Sequence, residues 1–364
     1  MKITKLFTLG LLGSLLLNSC SSDDDNDFVE PTTPTEGDNG PSEPTPTEDA
    51  AYTNGVFVVN EGSQSAGTVS FLDAANTSIE NNIFETVNSE MDLGMFVQSI
   101  FFDDENAYII SNGSNLITVV DRYTFELVGQ VDSGLNVPYY GVVYNGKAYV
   151  SNLAGFDEGG ADDYVAIIDL ENLEVEETVI AGFSIEEVEE DNGLIYFEGT
   201  NFGAGNSIEV FDPNAQSFTR SIPTNDALNS FEVDNNMLIA LSTSKLEKID
   251  LSTDAVISEI EFSENITGAK NLDIENGLIY FTSGTSVYQL NQDFEEEPTE
   301  ALLSYESTSQ FGQMYGFEVE DEFIYLSDAA DFASNGTVRV YTLSGELVNE
   351  FTAGVGPNGF YFNN

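Results

Sequence analysis

From Asn54 onward the chain alternates short runs of Val, Ile, Tyr and Phe with polar breaks such as Asn-Gly, Asp-Asn and Ser-Gly. No stretch keeps the apolar spacing of about 3.6 residues that a helix needs, so the pattern predicts strands throughout and an all-β fold. Aligned on itself, the chain shows a repeated unit of a turn, two or three residues, and an aromatic or aliphatic anchor. The copies are Asn54-Gly55-Val56-Phe57-Val58, Glu105-Asn106-Ala107-Tyr108, Asn145-Gly146-Lys147-Ala148-Tyr149, Asn192-Gly193-Leu194-Ile195-Tyr196, Asn235-Asn236-Met237-Leu238-Ile239, Asn276-Gly277-Leu278-Ile279-Tyr280 and Asp321-Glu322-Phe323-Ile324-Tyr325. Their anchors, 58, 108, 149, 196, 239, 280 and 325, lie 41 to 50 residues apart. That is about the length of one four-stranded propeller blade.

A second landmark keeps the same register. Strands ending in Asp recur at Val69–Asp73, Thr118–Asp121, Ala166–Asp169, Glu209–Asp212 and Glu247–Asp250, and read as the third strand of each blade. The Asp carboxylate can accept backbone N–H groups in the turn that follows, a structural role. Asn-Gly suits the two-residue hairpin between first and second strands, because a type I′ turn needs positive φ at both central residues. Tyr108, Tyr149, Tyr196, Tyr280 and Tyr325 recur in register and read as packing between blades. The first copy has no inner strand before it, while the chain ends on Gly356-Pro357-Asn358-Gly359-Phe360-Tyr361-Phe362, an inner-strand pattern with nothing after it. The expectation is a seven-bladed β-propeller over residues 51–364, closed by the last strand joining the first blade. The alternative is an eighth, truncated blade.

Composition narrows the chemistry. The 364 residues include 9 Lys+Arg against 64 Asp+Glu, no His, no Trp and one Cys. His-based triads, His metal sites, disulfides and C-x-x-C-H haem attachment are therefore excluded. With 41% hydrophobic residues a core can form, so the net charge of −55 describes the surface. Such a field repels nucleic acid and anionic headgroups and suits cations, polar neutral ligands or a basic protein partner. The reading is a binding protein, not an enzyme, with no cofactor.

The N-terminus reads as an address. Lys2 and Lys5 precede the apolar stretch Leu6–Leu17, which is too short to span a bilayer and fits a signal peptide over residues 1–19. The chain's sole Cys, Cys20, stands at the expected cleavage point in Leu17-Asn18-Ser19-Cys20, which resembles the lipobox of bacterial lipoproteins. The alternative is an unmodified Cys. Lipidation would place several acyl chains in the membrane, enough for stable anchoring. Ser21-Ser22-Asp23-Asp24-Asp25-Asn26-Asp27 resembles the acidic export signal of surface-exposed outer-membrane lipoproteins; otherwise it is a solvated spacer. Five of the ten prolines fall between Pro31 and Pro46, so residues 20–50 form an extended tether.

The apolar-Asp strand ends and Asn-Gly turns resemble the YncE-like or YVTN-type seven-bladed propellers, whose superfamily includes the quinoprotein amine dehydrogenase β-chain. With the lipobox and export signal, a first blade carrying Val58-Val59-Asn60-Glu61-Gly62 resembles a group of surface lipoproteins, some of which capture cobalamin for a TonB-dependent transporter. The resemblance covers about Asn54 to Asn364. It implies an outer-membrane, lipid-anchored, cell-surface propeller that captures a small nutrient, a corrinoid among the candidates, with a transporter as partner. The His, paired Cys and Trp motifs of redox propellers are absent from the chain.

Geometry places a ligand site on one face. Long segments after second strands, Glu61–Gly67, Asn152–Asp162, Gly199–Asn206 and Asp328–Gly336, share that face with the leads into inner strands. The residues expected at the mouth are Asn60, Glu61, Phe96, Gln98, Tyr139, Tyr140, Asn152, Phe183, Asn229, Lys270, Gln313, Tyr315 and Asn358. Aromatic faces mixed with amides suit a polar, partly flat organic ligand such as a corrinoid or a sugar. Asp157, Glu158, Asp162 and Asp163 offer oxygen ligands to Ca²⁺, or form a solvated loop, and no metal site is assigned. Two further readings stay open: a protein-interaction or adhesion propeller, and a carboxylate-dependent glycan hydrolase or lyase in which Glu61 or Lys270 would act.

Overall fold

The computed structural model describes residues 50–364 except 64, 90, 156–158, 201–203, 235 and 295. The expected signal peptide, Cys20, the acidic run, the expected tether up to residue 49, and Asp157 and Glu158 lie outside the described residues. Thr47–Asn364 form one compact unit, and all the hydrophobic clusters belong to it.

The turns form as their residues dictate. Asn145 and Gly146 have φ of 52° and 74°, Asn192 and Gly193 52° and 80°, and Asn276 and Gly277 52° and 77°. Each pair joins an inner strand to the second strand of its sheet, as Pro138–Tyr144 to Lys147–Asn152. The first copy departs from the repeat. Only Asn54 takes positive φ there, at 53°, and Gly55 opens the strand Gly55–Asn60. A Cβ on Gly55 would sit 2.3 Å from the Phe71 ring, so the close approach requires glycine. The third residue of that strand is thus Phe57, and the first anchor moves from 58 to 57.

The strand-ending Asp residues hold the next turn. Asp121 Oδ1 accepts the N–H groups of Tyr123 and Thr124, both at 2.9 Å, and Asp169 and Asp212 make the equivalent pairs. Asp121→Ala should cost about 1–2 kcal/mol by leaving two N–H groups without their acceptor. Asp121→Asn should recover most of it; a denaturant midpoint unchanged in the Ala variant would refute the role.

Among the described residues there are five four-stranded antiparallel sheets and one of seven strands. The seven-stranded sheet was not expected. Its strand Ser217–Asp234 runs unbroken for 18 residues, pairing first with Gly205–Asp212 and then with Met237–Ser242. Pro357–Asn363 pairs antiparallel with Gly55–Asn60, so the chain's last strand lies beside its first. Among the described residues helix is confined to Ile83–Val87, which buries Ile83 and Phe84 under the first sheet, and a single 3-10 turn at Asn112–Ser114.

The inner strands are Pro357–Asn363, Val97–Phe102, Pro138–Tyr144, Val188–Asp191, the second half of Ser217–Asp234, Ala269–Glu275 and Gln313–Glu320, each touching the next in this order and the last touching the first. Apolar side chains fill the wedge between neighbouring sheets. Tyr325 packs against Phe360 and Phe362 of the neighbouring sheet at 5.8 and 5.2 Å, while Tyr108 stacks at 4.8 Å on Phe101, its cross-strand partner in the same sheet. The recurring tyrosines are buried, as their register requires.

Candidate functional site

The inner strands enter through a repeated irregularity. A residue in the left-handed region stands two positions ahead of a mouth residue: Gly356 (φ 65°) before Asn358, Phe96 (54°) before Gln98, Val137 (50°) before Tyr139, Ala227 (63°) before Asn229 and Gly268 (62°) before Lys270. Beside it the pairing skips. Val97 faces Ser111 while Ser99 faces Ile110, so Gln98 bulges. Asn358, Tyr139–Tyr140, Asn229, Asn271 and Met314–Gly316 fall in the equivalent gaps. A bulge re-aims side chains away from the ladder, and positive φ at a β-branched Val persists only where the surroundings over-determine it.

These strands enclose a cavity of about 520 Å³ on their common axis, to which every inner strand contributes. Of the expected mouth residues, Tyr140, Asn229, Tyr315 and Asn358 line it. Glu61 reaches them from the first loop, where its Oε2 accepts the Tyr315 hydroxyl at 2.6 Å. Burial pushes the Glu61 carboxyl up, and the Tyr315 bond opposes that. Tyr139 packs edge-on against Tyr140 at 5.7 Å, and burial together with Glu186 and Glu61 raises its hydroxyl. Gln98 donates to the Tyr140 hydroxyl at 3.2 Å, and Lys270 Nζ donates to the Gln313 carbonyl at 3.3 Å. Phe96 is half-buried beside Gly113 in the lead to Gln98.

Three expected residues stand elsewhere. Asn60 is fully buried, donates to the Ser70 hydroxyl at 2.9 Å and accepts from Gly354 N at 2.9 Å, so it ties its sheet together. Asn152, also fully buried, accepts from Asn136 N and donates to the Val150 carbonyl. Phe183 packs on Phe218 at 5.0 Å and borders a separate cavity of about 510 Å³ with Ser184 and Thr200. The two asparagines were expected at the mouth from their position after a second strand, but their side chains satisfy the backbone where that strand ends.

Sequence reasoning missed the acids of the channel. Glu186, Glu187, Glu189, Glu198, Glu232 and Glu318 line the cavity, and no Lys or Arg does so among the described residues. Three of them, Glu189, Glu232 and Glu318, share one position of the repeat. The third residues of the second strands, Phe57, Tyr108, Tyr149, Tyr196, Ile239, Tyr280 and Tyr325, pair across to Tyr361, Phe101, Val142, Glu189, Glu232, Asp273 and Glu318. Four consecutive inner strands thus place a carboxyl in one register, and the other three place an aromatic or Val. Glu198 reaches the cavity from a second strand, because the inner strand before it, Val188–Asp191, has only four residues.

The belt has a structural component. An innermost strand leaves one edge without a ladder partner, and carboxyls of the preceding inner strand supply acceptors to it. Glu189 Oε2 accepts Val233 N at 2.9 Å, and Asp273 Oδ2 accepts Val319 N. Burial raises these carboxyls, and mutual repulsion adds to it: Glu187 and Asp273 are pushed up to about 7, and Glu189, Glu198, Glu232 and Glu318 well above the ordinary range. Among the described residues no three Asp or Glu side chains converge on one point as a metal ion requires. The arrangement is a polar pocket rich in acceptors, with tyrosines at its mouth.

Comparison with solved structures gives the same architecture. The chain is similar to hydrazine synthase of Kuenenia stuttgartiensis, with TM-score 0.56 and 16% identity over 75% of this chain and 96% of that one. It is similar to the dihydro-heme d1 dehydrogenase NirN in complex with DHE, with TM-score 0.55 and 15% identity over 88% and 78%. BamB of Moraxella catarrhalis follows with TM-score 0.50 and 14% identity over 84% and 83%. At such identities the likeness shows the fold alone, a β-propeller. No curated protein matches the sequence. Residues 54–362, nearly the whole described unit, match one family along their length, and the chain belongs to it: DUF5074, a domain of unknown function.

Proposed function

We propose that this protein is a non-enzymatic binding propeller, lipid-anchored through Cys20 at the outer-membrane surface, that captures a small polar nutrient and passes it to a TonB-dependent transporter. The observation that carries the binding role is the axial cavity of about 520 Å³, polar at every inner strand and flanked by Tyr139, Tyr140 and Tyr315. The ring counts seven blades in this reading, the seven-stranded sheet being two blades that share Ser217–Asp234, with Pro357–Asn363 closing the first. Support for the anchor comes from the lipobox-like Leu17-Asn18-Ser19-Cys20 and the acidic run after it.

A corrinoid is too large to enter the cavity and would lie across the mouth on the tyrosines. A protein or glycan partner is the second reading, favoured by Phe311, 82% exposed in the lead to Gln313–Glu320, and Met95, 42% exposed in the lead to Val97–Phe102. Residues 47–364 should be titrated with cyanocobalamin and with sugars, amino acids and amines, following heat and thermal midpoint. The expected result is one-to-one stabilisation by a small solute, weakened about tenfold or more in Tyr315→Ala, which removes an aromatic contact and the Glu61 bond. No shift with any solute would sink the small-ligand reading in favour of a macromolecular partner.

A further inference from the structure

We infer that the axial channel binds an organic cation carrying separated amino groups, a di- or polyamine, between its carboxyl belt and its mouth amides. This rests on the reading of the channel as a ligand site and names the class of ligand. Three independent features of the cavity point to it.

The first is the sign of what is left unpaired. Glu198 lines the cavity and is only 3% exposed, and its buried Oε1 has no hydrogen-bond partner. Asn229 and Asn358 line the same cavity, and the Oδ1 of each is buried without a partner. The orientation of both amides is fixed from the other side: Asn229 Nδ2 donates to the Ala269 carbonyl at 3.1 Å, and Asn358 Nδ2 donates to the Gln98 carbonyl at 3.0 Å. Both amide orphans are therefore acceptors, and the Glu198 carboxyl becomes one when it ionises. A buried acceptor without a donor costs free energy, so the complementary ligand brings N–H or O–H donors.

The second is charge. Glu186, Glu187, Glu189, Glu232 and Glu318 share the cavity with Glu198, Asp273 lies against Glu232 and Glu318, and no cationic side chain lines it among the described residues. Lys270, near the start of its inner strand, donates to the Gln313 carbonyl. A ligand donor that is also positive draws the carboxyls into their ionised form and satisfies them.

The third is spacing. No three carboxylates among the described residues converge as a bare divalent ion demands. They are spread round about 520 Å³, and acceptors stand at both levels, Asn229 and Asn358 at the bulges and Glu232 and Glu318 deeper. A molecule with ammonium groups at two or more points along a flexible chain meets that distribution.

The test is calorimetric titration of residues 47–364 with 1,4-diaminobutane, beside butane-1,4-diol and Ca²⁺, in physiological salt at pH 7. Expected are a saturable one-to-one diamine isotherm, no binding of the diol, and release of at least about one proton per diamine, read from two buffers of different ionisation heat. The protons come from the belt carboxyls; Tyr140 and Tyr361 also face them, and burial holds both hydroxyls up, so they remain protonated. The E232Q/E318Q variant should fold and bind the diamine roughly 30-fold or more weakly. A variant neutralised at the exposed Glu171, Glu174 and Glu177 should bind as wild type. Weak, multi-site heats unchanged in E232Q/E318Q would mean surface condensation and overturn the inference, as would tighter one-to-one binding of Ca²⁺. Stabilisation by the diol or another neutral solute, with none by the diamine, would overturn the amine class and leave the channel reading standing. No response to any solute would remove both.

Discussion

Raising the pH from 5 to 8 is expected to lower the thermal midpoint of residues 47–364 by about 5 °C or more, the larger share arising in the channel. Glu187 and Asp273 move from ordinary values of 4.5 and 3.8 up to about 7, and Glu189, Glu198, Glu232 and Glu318 also move up. Between the unfolded and folded values the native state holds protons that the unfolded chain has released. Stability from these groups is therefore fullest below about pH 4 and falls as pH rises through about 7. A carboxyl that holds its proton tenfold more tightly in the folded chain contributes about 1.4 kcal/mol, and several groups share one low-dielectric space, so a few kcal/mol are at stake. At about 2 °C per kcal/mol for a domain of this size, the midpoint change follows. Asp73, Asp103, Asp250 and Asp331, held low by hydrogen bonds in their turns, act with the opposite sign at the acid end below this window. The surface charge also favours acid, so the variant decides. E232Q/E318Q should be more stable than wild type at pH 8 and should flatten the pH dependence, while the exposed Glu171, Glu174 and Glu177 replacements should leave the slope nearly unchanged. An equal slope in the channel variant would place the effect on the surface.

Deleting Pro357–Asn363 is expected to abolish cooperative folding. The strand pairs with the whole of Gly55–Asn60, and Phe360 and Phe362 fill the wedge beside Tyr325. Asn363, fully buried, donates to the carbonyls of Tyr52 and Arg122 at 2.7 Å and accepts from Arg122 Nε at 2.5 Å. Its loss exposes an edge strand of six buried residues, GVFVVN, which would recruit other chains. Heating the truncated chain should give no sharp transition, with aggregation in place of a monomer. Supplying the missing segment as a peptide should restore a transition if strand pairing is the cause. A truncated chain that melted as sharply as the full one would show that the first sheet stands without its fourth strand.

The repeat of turn, anchor and strand-ending Asp was local, and local preferences of this kind are strong. Asn-Gly takes positive φ, alternation chooses strands, and Asp caps its turn whatever lies around it. Those preferences made the all-β architecture, the inter-blade tyrosines and the last strand's partner legible in the sequence. They misplaced the first anchor because Gly55 serves a close approach to Phe71, a contact between residues far apart in the chain. They also missed that residues 217–234 run as one strand through the middle of a seven-stranded sheet.

For the site, the sequence alone determined that no His, paired Cys or Trp chemistry was possible and that inner-strand leads such as Tyr140, Asn229, Tyr315 and Asn358 gather at one end. Tertiary structure decided the rest. It took Asn60 and Asn152 into their own sheets, set Phe183 on another cavity, and converted four scattered acids, each ordinary in its own strand, into one belt. A carboxyl's meaning depends on which like charges share its space and whether water reaches it. Ring geometry fixes both, and no single segment contains it.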